Sequence, residues 1–261
     1  MIAAISNIIE TIADVIYRNF IVSDRYSLWL EGLINTLIIT FFALLLGLAI
    51  GFFISVIRVT HDSMEKPHIL LRIPNFIVKM YVTAIRGIPM MVQIVIMNFI
   101  VFAASNNFLF IAIIAFGVNS GAYVSEVLRG GILSVDKGQT EAGRSLGLSY
   151  AQTMVKIIIP QAIKNSLPAI GNEFIALLKE TAIAGVIGVR DITRAGNIIR
   201  GITHDPLPLI FMAAAYLALV ILLEFLVKKL ENKMRASETR SGKLVERANR
   251  KRLKADNGGV N

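Results

Sequence analysis

From Leu37 to Ile57 the chain carries no charged side chain, and only Thr40, Gly47, Gly51 and Ser55 interrupt its apolar character. A helix needs about 20 such residues to cross a hydrocarbon core about 30 Å thick. Inside lipid the backbone must satisfy its own hydrogen bonds, so a run of this kind folds as a helix. Gly47 and Gly51 form a GxxxG pair, which lets another helix approach closely. Four more candidate spans follow. They cover about Ile88–Ala104, Phe108–Val124, Ala169–Val189 and Leu207–Val227. The polar turn Ser105-Asn106-Asn107 separates the second from the third, and Pro206 and Pro208 mark the start of the fifth. The fourth contains Glu173, Lys179 and Glu180, which a span tolerates where they face a bundle interior or an aqueous cavity. The expected fold class is all-α, a polytopic membrane helix bundle of about five transmembrane helices.

The charges set an orientation. Arg58 to Arg86 carries five Lys or Arg, Arg129 to Lys164 another five, and Lys228 to Lys254 eleven of the chain's 27. Lys and Arg concentrate in cytoplasmic loops, so these regions lie inside, which requires an odd number of spans with the N-terminus outside and the C-terminus in the cytoplasm. Arg190, Arg194 and Arg200 then fall on the outer side, against the rule. The net charge of +9 is accounted for by basic blocks beside spans, so no nucleic acid is implied.

Three regions result. In residues 1–27, Ile2, Ile5, Ile9, Ile12, Ile16 and Phe20 share one helical face, while Glu10, Asp14 and Arg18 line another. This segment is an amphipathic helix, lying in the membrane interface or packed on the spans. Glu10 and Asp14 also exclude a cleavable signal. Residues 28–230 form the membrane domain. Residues 231–261 form a basic cytoplasmic tail, expected as a frayed helix passing into disorder.

Catalytic chemistry is not indicated. Without cysteine there is no disulfide framework or thiolate metal site. His61, His68 and His204 lack metal-ligand spacing. Gly242-Lys243 lacks the upstream glycine and the following hydroxyl residue of a phosphate loop, so any nucleotide binds to another chain. This chain is expected to be no enzyme, with no metal and no cofactor of its own.

The segment 136–160 has a definite local grammar. Asp136 precedes Gln139 by three residues, a capping-box spacing that starts a helix near Lys137. Gly147 is placed to stop that helix in the left-handed conformation. Ser149 and Gln152 repeat the capping-box spacing and start a second helix, expected to end near Pro160. Ala142 and Gly143 leave the middle of the first helix thin enough to enter a groove on a partner. By periodicity alone the segment reads first as an ordinary helical hairpin between spans.

Polar groups inside the spans are the remaining candidates, because a buried polar group without a partner costs several kcal/mol. Gln93, Asn98, Asn119 and Ser120 could line a substrate path or bond helix to helix. Arg86 with Glu126, and Lys179 with Glu173, could pair to lock or gate the bundle. Pro89 beside Arg86 suits a hinge, or simply opens a helix at its first position.

The run Glu141-Ala142-Gly143, then Gly147, Ile157 and Ile159-Pro160, resembles the EAA motif of ABC importer permeases. That motif reads Glu-Ala-Ala, three residues, Gly, nine residues, Ile, one residue, Leu-Pro. Gly143 stands for the second Ala and Ile159 for Leu. A narrower resemblance, to polar amino-acid permeases of the histidine/glutamine type, rests on Gly32, Thr36, Leu37, Gly47, Gly51 and Arg58. Arg86-Gly87-Ile88-Pro89, Gln93, Gly121-Ala122-Tyr123, Glu126, Arg129-Gly130-Gly131-Ile132, Leu178-Lys179-Glu180-Thr181 and Val186-Ile187-Gly188-Val189 extend it. The resemblance covers about residues 28–228. It implies a MetI-like permease fold in a bacterial cytoplasmic membrane. It also implies an importer in which Glu141, Ala142, Gly143, Gly147 and Pro160 dock a separate ATPase dimer. ATP-Mg would bind on that ATPase, beside a second permease subunit, identical or homologous. An extracytoplasmic binding protein would deliver a polar amino acid. A different reading is a membrane scaffold or signalling subunit acting through its basic tail on anionic lipid or a soluble partner.

Overall fold

The structure, a computed structural model, describes residues 13–64 and 66–257, with side chains as far as Met234. Ile2, Ile5, Ile9, Glu10 and Ile12 of the amphipathic segment lie outside the described residues. All regular elements among the described residues are helical. A short wide-turn helix, Tyr17–Ile21, leads through Val22–Asp24 into α1, Arg25–Asp62. Then come α2, Ile69–Gly87, and α3, Met90–Ile96, which continues through a wide turn, Met97–Val101. α4 is Phe108–Leu133 and α5 is Lys137–Ser145. α6, Tyr150–Thr153, runs on through a wide turn, Met154–Ile158, into α7, Ile159–Glu180. A 3-10 stretch, Thr181–Ile187, precedes α8, Ile192–Thr203, and α9, Leu207–Asn257, closes the chain.

The centre of the bundle is the parallel crossing of α1 and α4. A Cβ added to Gly47 would meet Ser120 Oγ at 2.8 Å, and one on Gly51 would meet Val124 Cγ1 at 2.6 Å. From the other side, Cβ atoms on Gly117 and Gly121 would meet Leu46 at 2.6 Å and Ile50 at 2.7 Å. The GxxxG pair read on α1 thus interlocks with a second, Gly117/Gly121, on α4. Small residues are the means by which helices approach in lipid, where the hydrophobic effect between them is absent. In α4, 61% of the most apolar window is buried, against 6% in α9. α4 is therefore the hub and α9 a peripheral helix, with Leu217, Ile221, Leu222 and Phe225 exposed along it.

Among the described residues three helices are long and apolar enough to cross a membrane, or four if α2 and α3 form one broken span. This differs from the five runs read in the sequence. The second expected span, Ile88–Ala104, is only the short α3, set at 110° to α2. The expected loop between Arg58 and Arg86 instead contains α2, a helix of 19 residues. Its Lys79, Arg72 and Pro74 mask it from a hydropathy count. The fourth span begins earlier than Ala169 and ends earlier than Val189, because α7 stops at Glu180 and tightens into the 3-10 stretch. α9 is helical to Asn257, as the Glu, Lys, Arg and Ala content of the tail favours.

The α2–α3 bend has a specific chemical support. Pro89 has no N–H, so the carbonyl of Ile85 loses its helical partner. Gln93 Nε2 donates to that carbonyl at 2.7 Å and to the carbonyl of Ile88, also at 2.7 Å. Gln93 Oε1 accepts from Asn119 Nδ2 at 3.3 Å, which fastens the bend to the hub. Pro89 itself is extended, with ψ 138°, and precedes the helix as its cap residue instead of filling its first turn.

Two stability outcomes follow. Gly121→Ala should lower the melting temperature of the detergent-solubilised protein, by about 1–3 kcal/mol of overpacking. Gly130→Ala in the same helix has open space around it and should be neutral or stabilising by up to about 1 kcal/mol. Equal melting of the two variants would show that glycine does not set the crossing. Gln93→Met should cost about 1–3 kcal/mol by leaving buried carbonyls without a donor, read in the same melting assay; wild-type stability would contradict its role at the bend.

Candidate docking loop and membrane-embedded polar cluster

The loop between α4 and α7 is built as two capped helices. The Asp136 side chain accepts from the backbone N–H of Gly138 at 2.6 Å and starts α5. The reciprocal half of the expected capping box is missing. Gln139 Oε1 is engaged by Gln161 Nε2 at 3.5 Å instead, so α5 is tied to the start of α7. At its other end Gly147 takes φ 81°. The Leu148 N–H reaches the Gly143 carbonyl at 3.2 Å and the Gly147 N–H reaches that of Arg144 at 2.9 Å. This is a Schellman stop, in which a left-handed glycine lets the last turn's carbonyls be satisfied. Ser149 and Gln152 form the full capping box, at 3.2 Å and 2.9 Å, and start α6.

The two helices close against each other through Gly143. A Cβ there would meet Thr153 Cγ2 at 2.7 Å. Gly143 is therefore buried against the second helix and is not part of a thin outward face, which corrects the sequence reading. Glu141, Ala142 and Gly147 remain exposed. Between them the sequence reading missed Leu146, an apolar side chain 80% exposed at the tip, and on the second helix it missed Val155, 63% exposed. A leucine held out at a helix stop was visible only once Gly147 had fixed which way the turn faces.

The second helix does not end near Pro160. It passes through it into α7, with Pro160 in the first turn. Pro160 cannot donate to the Lys156 carbonyl, and the chain widens by one residue just before it: the Ile159 N–H reaches the Met154 carbonyl, five residues back. The second loop helix and α7 are thereby one continuous helical rod.

Inside the bundle the expected ion pairs are replaced by others. Glu126 pairs with Arg58 of α1 and with Arg129 Nε at 3.4 Å, joining the two hub helices where they leave their crossing. Arg86, expected on Glu126, lies over the Tyr123 ring at 5.1 Å, a cation–π contact. The reason is position: α2 meets α4 near Val118, whose carbonyl accepts from the Tyr81 hydroxyl, a turn or more short of Glu126. Glu173 is not paired with Lys179 but accepts from Ser120 Oγ at 3.1 Å. Residues six apart on a helix sit about 240° apart around it, so that pair could not share a face. Lys179 is exposed at the end of α7.

Of the four substrate-path candidates, Gln93 and Asn119 bond to each other and Gln93 holds the bend. Ser120 serves Glu173. Asn98 is 7% exposed, in the wide turn after α3, and its Oδ1 has no hydrogen-bond partner. Sequence reasoning also missed Asp191, fully buried, which caps α8 by accepting from Thr193 and Arg194 N–H groups at 3.0 Å each and from the Tyr216 hydroxyl at 3.1 Å. An aspartate immediately before an Ile-rich amphipathic stretch was the available signal.

A family profile described as "Binding-protein-dependent transport system inner membrane component" matches residues 70–236. The chain is 37% identical over 213 residues to the arginine transport system permease protein ArtQ of Bacillus subtilis, covering 80% of this chain and 93% of the relative. It is 37% identical over 209 residues to a putative glutamine transport system permease protein GlnP of Rickettsia typhi, covering 78% and 92%. A crystal structure of an amino acid ABC transporter with histidines contains a chain 38% identical to this one, with a TM-score of 0.72 and coverage of 80% and 94%. The MetNI methionine ABC transporter, 22% identical with a TM-score of 0.70, shares the fold. The helical bundle, its glycine-set hub and the capped loop thus belong to a multi-pass membrane protein of the binding-protein-dependent transport system inner membrane component family, a permease subunit of an ABC importer.

Proposed function

We propose that this permease moves a polar amino acid into the cytoplasm, driven by a separate ATPase that grips the loop 136–160. The observation that carries the docking half is the loop's construction. Caps at Asp136 and Ser149 and the Gly147 stop hold Glu141, Ala142 and Leu146 outward on α5, which packs through Gly143 against the helix that runs on into α7. An exposed leucine on a rigid tip suits a groove on a partner protein. The polar amino-acid half is supported by the arginine and glutamine systems to which the chain is similar. The loop side is assigned to the cytoplasm from the Lys and Arg that flank it. A second permease subunit completes the path, and an extracytoplasmic binding protein delivers the substrate. ATP-Mg is held by the ATPase.

Motion of the gripped loop would travel along α7 to Glu173, whose Ser120 contact lies at the hub. That polar pair, with Arg86 and with Asn98, whose buried Oδ1 has no hydrogen-bond partner, is the proposed lining of the path. Alternating access then follows from biasing two packings of the same bundle.

Glu141→Ala, Leu146→Asp and Gly147→Val should each reduce uptake in reconstituted vesicles by about tenfold or more, the scale of a coupling free energy. Substrate-stimulated ATP hydrolysis should fall with uptake, while the amount of permease in the membrane stays normal. Unchanged uptake in all three would refute docking through this loop. Substrate is identified by asking which of arginine, glutamine, histidine and other polar amino acids stimulates ATP hydrolysis with the binding protein present.

A further inference from the structure

A groove of about 450 Å³ opens between the wide-turn helix Tyr17–Ile21, α1, α8 and α9. Phe20, Trp29, Leu33, Phe211 and Ala215 form its walls and the buried Ile192 its floor. These walls are held in place. The Phe20 ring stacks on Trp29 at 5.7 Å between centroids and meets Phe211 edge-on at 4.8 Å. Trp29 Nε1 donates to the Asn19 carbonyl at 3.3 Å, so the polar edge of the indole is already satisfied. A Cβ on Gly196 of α8 would collide with Met212 of α9 and meet Trp29 Cη2 of α1 at 3.0 Å, so α8 packs tightly on both helices. The groove is therefore a fixed concavity, unlike the exposed row Leu217, Ile221, Leu222 and Phe225 along the single helix α9.

Its depth follows from α9. The apolar run of that helix begins at Leu207, just after Asp205 and Pro206. At 1.5 Å per residue Phe211 and Ala215 lie about 6 and 12 Å further in, within one leaflet of a hydrocarbon core about 30 Å thick. Tyr26 and Trp29, from the first two turns of α1, line the start of the groove, as aromatic side chains do at a membrane interface. A cation stands at the same end. Arg25 precedes Trp29 by four residues and so shares its face of the helix. Arg25 Nη1 donates to the Arg18 carbonyl, and Trp29 to that of the next residue, Asn19, which sets guanidinium and indole side by side. Arg18 is paired with Asp14. Arg25 Nε has no hydrogen-bond partner, and no carboxylate among the described residues pairs with its guanidinium.

We propose that the groove holds one anionic phospholipid, with an acyl chain between Trp29 and Ala215 and its phosphate on the Arg25 guanidinium. A lipid is the occupant because the groove opens at the depth where acyl chains are the surrounding medium. The cation stands beside the interfacial aromatics, where a headgroup phosphate lies, and guanidinium donors match phosphate oxygens. A lipid with net negative charge, such as phosphatidylglycerol, is favoured over zwitterionic phosphatidylcholine, whose choline cation would approach an arginine that no carboxylate offsets. Only the choice of leaflet, the outer one, rests on the docking reading above, which puts the loop 136–160 in the cytoplasm; the site itself does not depend on it. The bound lipid ties the Tyr17–Ile21 helix to α1 and α9.

The test is native mass spectrometry of the full chain released from detergent, titrated with phosphatidylglycerol or phosphatidylcholine. The native chain should retain one phosphatidylglycerol at a concentration about tenfold below that needed for phosphatidylcholine, the scale of a charge-assisted contact. Arg25→Gln should abolish that preference and Arg25→Lys should keep part of it. Ala215→Trp, which fills the groove, should weaken retention of both lipids about tenfold, while Leu222→Trp on the exposed row should change neither. A preference that survives Arg25→Gln overturns the proposal, as does normal retention by Ala215→Trp; if Ala215→Trp does not fold, Arg25→Gln decides alone. Binding of inorganic phosphate with no lipid retained assigns Arg25 to the free ion and overturns it as well. Deletion of residues 1–12 should leave retention unchanged. Lipid retained only after that deletion gives the groove to the chain's own N-terminal segment, and the proposal fails.

Discussion

The close crossing of α1 and α4 is the constraint from which the other placements follow. With glycine on both sides of the contact, the helix backbones approach to a distance that larger side chains would forbid. Between the two helices Arg58 reaches Glu126, and from α4 Ser120 and Asn119 reach on to Glu173 of α7 and Gln93 of α3. In a lipid environment the gain comes from packing and from polar contacts between helices, not from removing apolar surface from water. Separating the helices by one methyl group on each would disturb all three polar contacts together, because each spans the hub or hangs from it.

Backbone satisfaction is the second organising demand, and three prolines expose it. Pro89 leaves a carbonyl that a glutamine side chain must serve. Pro160 is met by a wide turn that shifts the hydrogen-bond register. Pro74 sits inside α2, where the chain still holds helical form. At Pro89, inside the bundle, a carbonyl left without a partner would be costly, so its replacement by the Gln93 amide matters most there. The compensation differs because the neighbouring atoms differ: an amide side chain is within reach at the bend, while at Pro160 only the backbone itself can adjust.

Much of this was legible in the amino-acid order. Leu37–Ile57 and Leu207–Val227 stood out because nothing in them is charged. The Gly147 stop and the Ser149 cap were readable because left-handed glycine and a hydroxyl cap are local chemistry, decided within five residues. What escaped were relations between distant segments. α2 was hidden by Arg72, Lys79 and a proline, and is placed by Val82, which packs against Ile54 and Ala122. The partner of Glu126 was misassigned because hydropathy says nothing about which helix crosses at which level. Gly143 was read as facing outward, since a single strand of sequence does not say that Thr153 folds back onto it.

From Tyr150 to Glu180 the chain is an unbroken helical strut, about 46 Å long at 1.5 Å per residue. A strut of this stiffness carries torque as well as thrust. Any twist imposed at the Ser149 cap must reappear as a rotation of Glu173 about the same axis, unless it is absorbed on the way. The place built to absorb it is the five-residue turn Met154–Ile158, whose extra residue can be wound in or out. That turn is therefore where the strut's winding departs from the α-helical register, and a twist entering at Ser149 would meet it before it met Glu173.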